Sequence, residues 1–192
     1  MDLQHVNVKL LLEKSAVAGL APLIPVFHAW IQGQIFDELL LDVADYSHVP
    51  EGPGIVLIGH GADYSVDNTD GRVGVRYNRK AVLNGDNQDR LAQATRAALR
   101  ACKRLESEPR LEGKVRFSGK ELEIFINDRL IAPNMEATRE EFRPELHKFL
   151  QRLFGGGEFA LTYGADPRRL FGVRVSSSRS FSVSELLANV EA

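Results

Sequence analysis

Turn formers separate the apolar runs of this chain at spacings that favour reversals over crossovers, and that restricts its fold more than any other feature. Leu39 to Tyr46 and Ile55 to His60 are runs of strand length, and Val49-Pro50-Glu51-Gly52-Pro53-Gly54 between them is a dense set of turn residues. Parallel strands need a crossover of a dozen or more residues, so this pair is expected to be antiparallel. A third strand, Val73 to Arg79, follows Asn68-Thr69-Asp70-Gly71, where Asp-Gly is a hairpin signal.

The remaining elements follow from periodicity. Val6, Val8, Leu10 and Leu12 alternate with outward positions, which reads as a half-buried opening strand over 4–13. Pro22 and Pro25 suit a first helical turn, and Phe27, Trp30, Ile31 and Ile35 follow on one face, with Trp30 in the core. Residues 87–107 give the clearest helix, with Leu91, Thr95, Ala98, Cys102 and Leu105 as its apolar stripe. Val115 to Phe117 and Leu122 to Ile126 read as a short hairpin about Ser118-Gly119. Thr138 and Glu141 form a capping-box pattern ahead of a core face of Phe142, Leu146, Phe149, Leu150 and Leu153, and Gly155-Gly156-Gly157 ends that helix. Strands over Glu158 to Tyr163 and Leu170 to Ser176 and a short helix capped by Ser182 or Ser184 complete the chain.

The order β-α-β-β-β-α, then β-β-α-β-β-α, predicts an α+β fold with a mainly antiparallel sheet built from hairpins and about four helices. The chain reads as a single domain, 1–192. One internal echo suggests two pseudo-repeated halves, 1–86 and 87–192. Gly61-Ala62-Asp63 leads to Gly74-Val75-Arg76, and Gly164-Ala165-Asp166 leads to Gly172-Val173-Arg174, at offsets of 103 for the Asp and 98 for the Arg. Asp63 with Arg76 and Asp166 with Arg174 would form cross-strand ion pairs, or would flank a pseudo-symmetric cleft between the halves.

Composition then narrows the function classes. Cys102 is the single cysteine, so neither a disulfide framework nor a cysteine-based zinc site is available, and a small buried helix residue is its expected role. The stretch from Ser15 to Phe36 carries no charge over 22 residues, but Gly19, Pro22, Pro25, His28 and Gly33 inside it suit a loop and a buried helix, not a membrane span. No signal peptide is expected either, because Asp2 and Glu13 flank the only basic residues before that stretch. The expected setting is therefore cytoplasmic, with no membrane partner.

The net charge of −2 is a cancellation. Between Lys14 and Arg72 there is no Lys or Arg, while Asp37, Glu38, Asp42, Asp45, Glu51, Asp63, Asp67 and Asp70 accumulate. From Arg72 to Arg116, 12 basic residues stand against Asp86, Asp89, Glu106, Glu108 and Glu112. Phosphate-cradling, dinucleotide-binding, nucleophile-elbow and zinc-protease motifs are absent from the sequence.

Three functions remain. A binding or accessory protein that self-associates through its acidic and basic surfaces, or meets another protein, fits the charge blocks first. Its expected binding residues are Arg96, Arg100, Lys103 and Arg104 on the outer face of the 87–107 helix. The alternative is a small hydrolase or isomerase in which Asp42 and His60 face each other across a hairpin with a five-residue loop, the imidazole acting as general base. No cofactor is required, although a divalent metal held by His28, His48 and His60 would suit the same region. Nucleic-acid binding through the basic helix comes third, disfavoured by the near-neutral balance and the lack of interleaved aromatics.

Overall fold

The computed structural model describes residues 1–13 and 22–192. In chain order the elements are β1 (Val6–Leu12), α1 (Leu23–Gly33), β2 (Leu40–Tyr46), β3 (Gly54–Gly59), β4 (Ala62–Asp67), β5 (Gly74–Arg79), α2 (Asn87–Glu106), β6 (Phe117–Ile126), α3 (Glu136–Leu153), β7 (Phe159–Tyr163), β8 (Phe171–Ser177) and α4 (Val183–Glu191). The strands form one eight-stranded sheet, ordered β2-β3-β4-β5-β1-β6-β8-β7, with each neighbouring pair antiparallel. The α+β class with a mainly antiparallel sheet is the one that the turn spacing predicts.

Two strands differ from the sequence reading. β4 was not anticipated, although Ala62, Tyr64 and Val66 alternate with Asp63, Ser65 and Asp67 at strand period; its polar half disguises it as loop. The Asp-Gly signal accordingly joins β4 to β5, through a 3-10 turn at Thr69–Gly71. β6, by contrast, is one strand of 10 residues, and Ser118-Gly119 is no turn. α3 also starts earlier than the Thr138 pattern implies. Met135 is its N-cap residue, Thr138 is buried inside the helix, and Glu141 binds the N-terminal amine of Met1 instead. Ser182 does cap α4, in a reciprocal box with Glu185.

The sheet has an apolar face and a polar face, as strict alternation requires. Tyr64, Tyr77, Val8, Ile124 and Val173 lie side by side across β4, β5, β1, β6 and β8 on the helix-bearing face. There α2 covers β1 and β5, α1 covers β2 and β3, and α4 reaches β6. The next row, Ser65, Arg76, Lys9, Glu123, Arg174 and Thr162, crosses the same strands and β7 on the opposite face. β1 is consequently buried on both sides rather than half-buried: Asn7 and Lys9 are each 1% exposed.

The stripes expected of α2 and α3 are buried, including Cys102, whose thiol is pushed well up by burial and further by Glu106. Trp30 is in the core. α1 has 11 residues, and among the described residues no helix is long and apolar enough to cross a membrane. The loop expected over residues 15–21 lies outside the described residues.

α2 owes its start to a capping box in which Asp86 accepts from Asp89 N at 2.9 Å and the Asp89 carboxylate accepts from Asp86 N at 3.0 Å. Asp86→Ala is expected to lower stability by about 1 kcal/mol, shifting the thermal midpoint down by about 2–4 °C in a calorimetric scan.

Candidate functional site

The acidic hairpin does not build the expected Asp42 and His60 pair. Tyr46 faces Gly54, so the β2–β3 turn spans seven residues (47–53) rather than five, and a bulge between Leu40 and Asp42 shifts the register again. Asp42 therefore faces Ile58, and its carboxylate accepts from Val43 N at 2.8 Å. His60 lies past the end of β3, exposed, with its own N–H donating to Leu39 O at 2.8 Å. His48 is exposed in the turn, its ring 6.5 Å from that of Tyr46, and His28 is exposed on α1. Among the described residues no three His, Cys, Asp or Glu side chains come together as a metal site, so the three histidines do not converge.

The ion pairs expected from the internal echo are also replaced. Asp63 pairs with Lys80 at 2.7 Å and Asp166 with Arg168 at 2.9 Å, while Arg76 lies 3.7 Å from Asp67 and Arg174 lies 3.3 Å from Glu123. Much of the acidic block is thus neutralised within the chain. Asp67 pairs with Lys9, Asp70 with Arg169, and Asp37 and Glu38 reach Arg100 and Arg79 at 3.7 Å each.

Arg96, Arg100, Lys103 and Arg104 all border one cavity of about 500 Å³ between α2, the strands β4 and β5 and the segment after α1. Helical spacing puts Gln93, Arg96, Arg100, Arg104 and Ser107 along one side of it. Its wall is aromatic. Phe36 stacks on Tyr64 at 4.9 Å between centroids, Tyr64 meets Tyr77 edge-on at 5.2 Å, and Trp30 packs edge-on behind Phe36 at 5.3 Å.

Charges in the cavity are unequal. Arg100 is held by Asp37 and by Glu191 of α4, and Arg79 by Glu38, whose other contact is the Gly61 amide at 2.6 Å. Arg96, Lys103 and Arg104 have no ion-pair partner among the described residues. The C-terminal dipole of α2 accounts for Lys103 and Arg104 in its last turn, but not for Arg96 two turns earlier. Two polar atoms at this wall, Gln93 Oε1 and Arg96 Nε, are buried without a hydrogen-bond partner among the described residues, although Gln93 Nε2 donates to the Tyr77 hydroxyl at 2.9 Å.

The Tyr64 hydroxyl is pushed far up by burial, then by Tyr77, Glu38 and Asp37, with Arg100 opposing. It stays a neutral phenol at any physiological pH. Such an arrangement can bind an anion on Arg96, Lys103 and Arg104 and hold its organic part on aromatic rings. The four cations were named from the sequence, whereas Phe36, Tyr64, Tyr77 and Arg79, which line the same cavity, were not. Gln93 and Ser107 were within reach, since they continue the same helical row. No family model matches the sequence, and neither curated proteins nor solved structures give a match to the chain.

Proposed function

We propose that the protein works by binding, and that its ligand is a small organic anion seated in the cavity beside α2. One observation carries this reading: Arg96, Lys103 and Arg104 converge, without carboxylate partners among the described residues, on a cavity with an aromatic wall. About 500 Å³ is a usual volume for a small-molecule site. Unpartnered Arg96 Nε and Gln93 Oε1 add a donor and an acceptor that a ligand would satisfy. The acidic surface of a second copy is a less economical partner for this face, because Asp37 and Arg100 already bring the two charge blocks together inside one chain.

Isothermal titration calorimetry at low salt tests it, with citrate, salicylate and adenosine 5′-monophosphate as probes. At least one probe is expected to bind, more weakly as salt rises, and Arg96→Gln with Arg104→Gln is expected to weaken it at least about tenfold. That magnitude follows from roughly 1.5–3 kcal/mol for each charge-assisted hydrogen bond lost. Heat signals absent for all three probes, or identical for the double variant, would overturn the assignment.

A further inference from the structure

The polar face of the sheet carries a second cavity, of about 560 Å³, that the α2 site does not involve. Its place in the topology is distinctive. Reading outward from the adjacent strands β1 and β6, the sheet runs β5 then β4 on one side and β8 then β7 on the other. Along the chain, β1-α1-β4-β5-α2 and β6-α3-β7-β8-α4 follow the same order once the β2–β3 hairpin is set aside. Gly74 and Arg76 on β5 and Gly172 and Arg174 on β8 are the echoed residues of the sequence, and both arginines border this cavity from the same cross-strand row.

The cavity has built walls. Arg76 lies over the Phe125 ring at 4.8 Å from its centroid, and that ring occupies the space left by Gly172, where a Cβ would come within 2.7 Å of it. Arg169 reaches Asp70 at 2.9 Å, tying the β7–β8 loop to the β4–β5 turn. Asn134 is buried, donating through Nδ2 to Gly164 O at 3.3 Å and Asp166 O at 2.8 Å, while its Oδ1 has no partner among the described residues.

Carboxylates run short here. Lys9 and Arg76 share Asp67, Arg174 shares Glu123 with Arg72, whose nearer partner is Glu121 at 2.5 Å, and Arg129 has no ion pair among the described residues. Burial opposes the charge on Arg76 more than Asp67 and Glu123 support it. Arginines approaching from two strands and a loop suit an acceptor with more oxygens than one carboxylate offers. A phosphate monoester presents three terminal oxygens and nearly two negative charges at neutral pH.

We propose that this trough, at the seam between two topologically equivalent halves, binds a small soluble phosphate monoester through Arg76, Arg129 and Arg174. Asn134 Oδ1 accepts from a hydroxyl of the organic part. On this reading the halves divide after α2, between residues 106 and 117, and not at 86.

The test is a titration of the full chain followed by amide NMR and calorimetry, with ribose 5-phosphate, adenosine 5′-monophosphate, inorganic phosphate, and adenosine as the uncharged control. A monoester is expected to shift the Gly164, Gly172 and Arg174 amides, with inorganic phosphate weaker and adenosine silent. Arg129→Gln with Arg174→Gln is expected to weaken the binding read at the Gly164 and Gly172 amides at least tenfold. If the double variant does not fold by circular dichroism, Arg129→Gln alone, at an exposed position, carries the comparison. No monoester binding at millimolar concentration, shifts confined to the α2 cavity, or an unaffected Arg129 and Arg174 variant would overturn the proposal. So would cosedimentation with phosphatidic acid vesicles combined with no binding of soluble monoesters.

Discussion

Asp67→Ala is expected to remove about 3–5 kcal/mol of folding stability, the usual loss when one partner of a buried ion pair is deleted. Lys9 and Asp67 pair near the middle of the sheet with side chains 1% and 3% exposed. Asp67 is also the acceptor for Thr69 N at 3.0 Å and Thr69 Oγ1 at 2.9 Å, and it lies 3.7 Å from Arg76. Without the carboxylate, Lys9 keeps only the Thr69 carbonyl at 3.5 Å, beside a guanidinium of like charge. Lys9→Met should cost less, because Asp67 retains both Thr69 donors and Arg76. The double replacement Lys9→Met with Asp67→Asn should fall between Lys9→Met and Asp67→Ala, since the buried ammonium is gone while Arg76 loses its carboxylate partner. Urea denaturation of the three variants measures this, and a loss below about 1 kcal/mol for Asp67→Ala would contradict the account.

The same pair shows how far a sequence carries. Alternation in β1 told correctly which residues point each way, and Val6, Val8 and Leu10 do face the helices. It could not tell that Asn7 and Lys9 point to a face that is itself covered, because burial there comes from residues distant in sequence, such as Arg76 and Phe125. Helices α2 and α3 were legible over several turns, since a period of 3.6 needs no partner strand to define it. Thr138 with Glu141 imitated a cap because a Thr-x-x-Glu spacing also occurs inside helices, where its side chains find other partners.

The candidate sites divide along the same line. Arg96, Arg100, Lys103 and Arg104 share a cavity because one helix fixes their spacing. Asp42 and His60 depended on cross-strand register, which a longer turn and one bulge were enough to change. Tyr64 entered the α2 cavity unnoticed because its strand alternates with Asp63, Ser65 and Asp67, residues that usually mark loops. The echo at Arg76 and Arg174 was visible as a repeat of letters, but only the strand order places both on one face.

Gly119 gives the second large effect, and for a reason that its sequence context hides. Beside Ser118 it reads as a turn, yet it lies inside β6 with φ outside the left-handed region, so backbone freedom is not what requires a glycine. A Cβ there would land on the Phe181 carbonyl oxygen, far inside the roughly 3.5 Å at which non-bonded heavy atoms rest. That obstacle is backbone and cannot rotate aside. Phe181 precedes the Ser182 cap of α4, and its ring packs against Phe154 at 5.4 Å, so displacing it disturbs both the helix start and the core. Gly119→Ala is therefore expected to cost about 3 kcal/mol, the upper end for an overpacked site. Gly156→Ala is the control, because φ is +80° there and nothing lies within 4 Å of the added carbon. It should lose only about 1 kcal/mol, from backbone strain alone. Urea denaturation that ranks the two variants in the reverse order would show that the close approach of Phe181 is not what fixes glycine at 119.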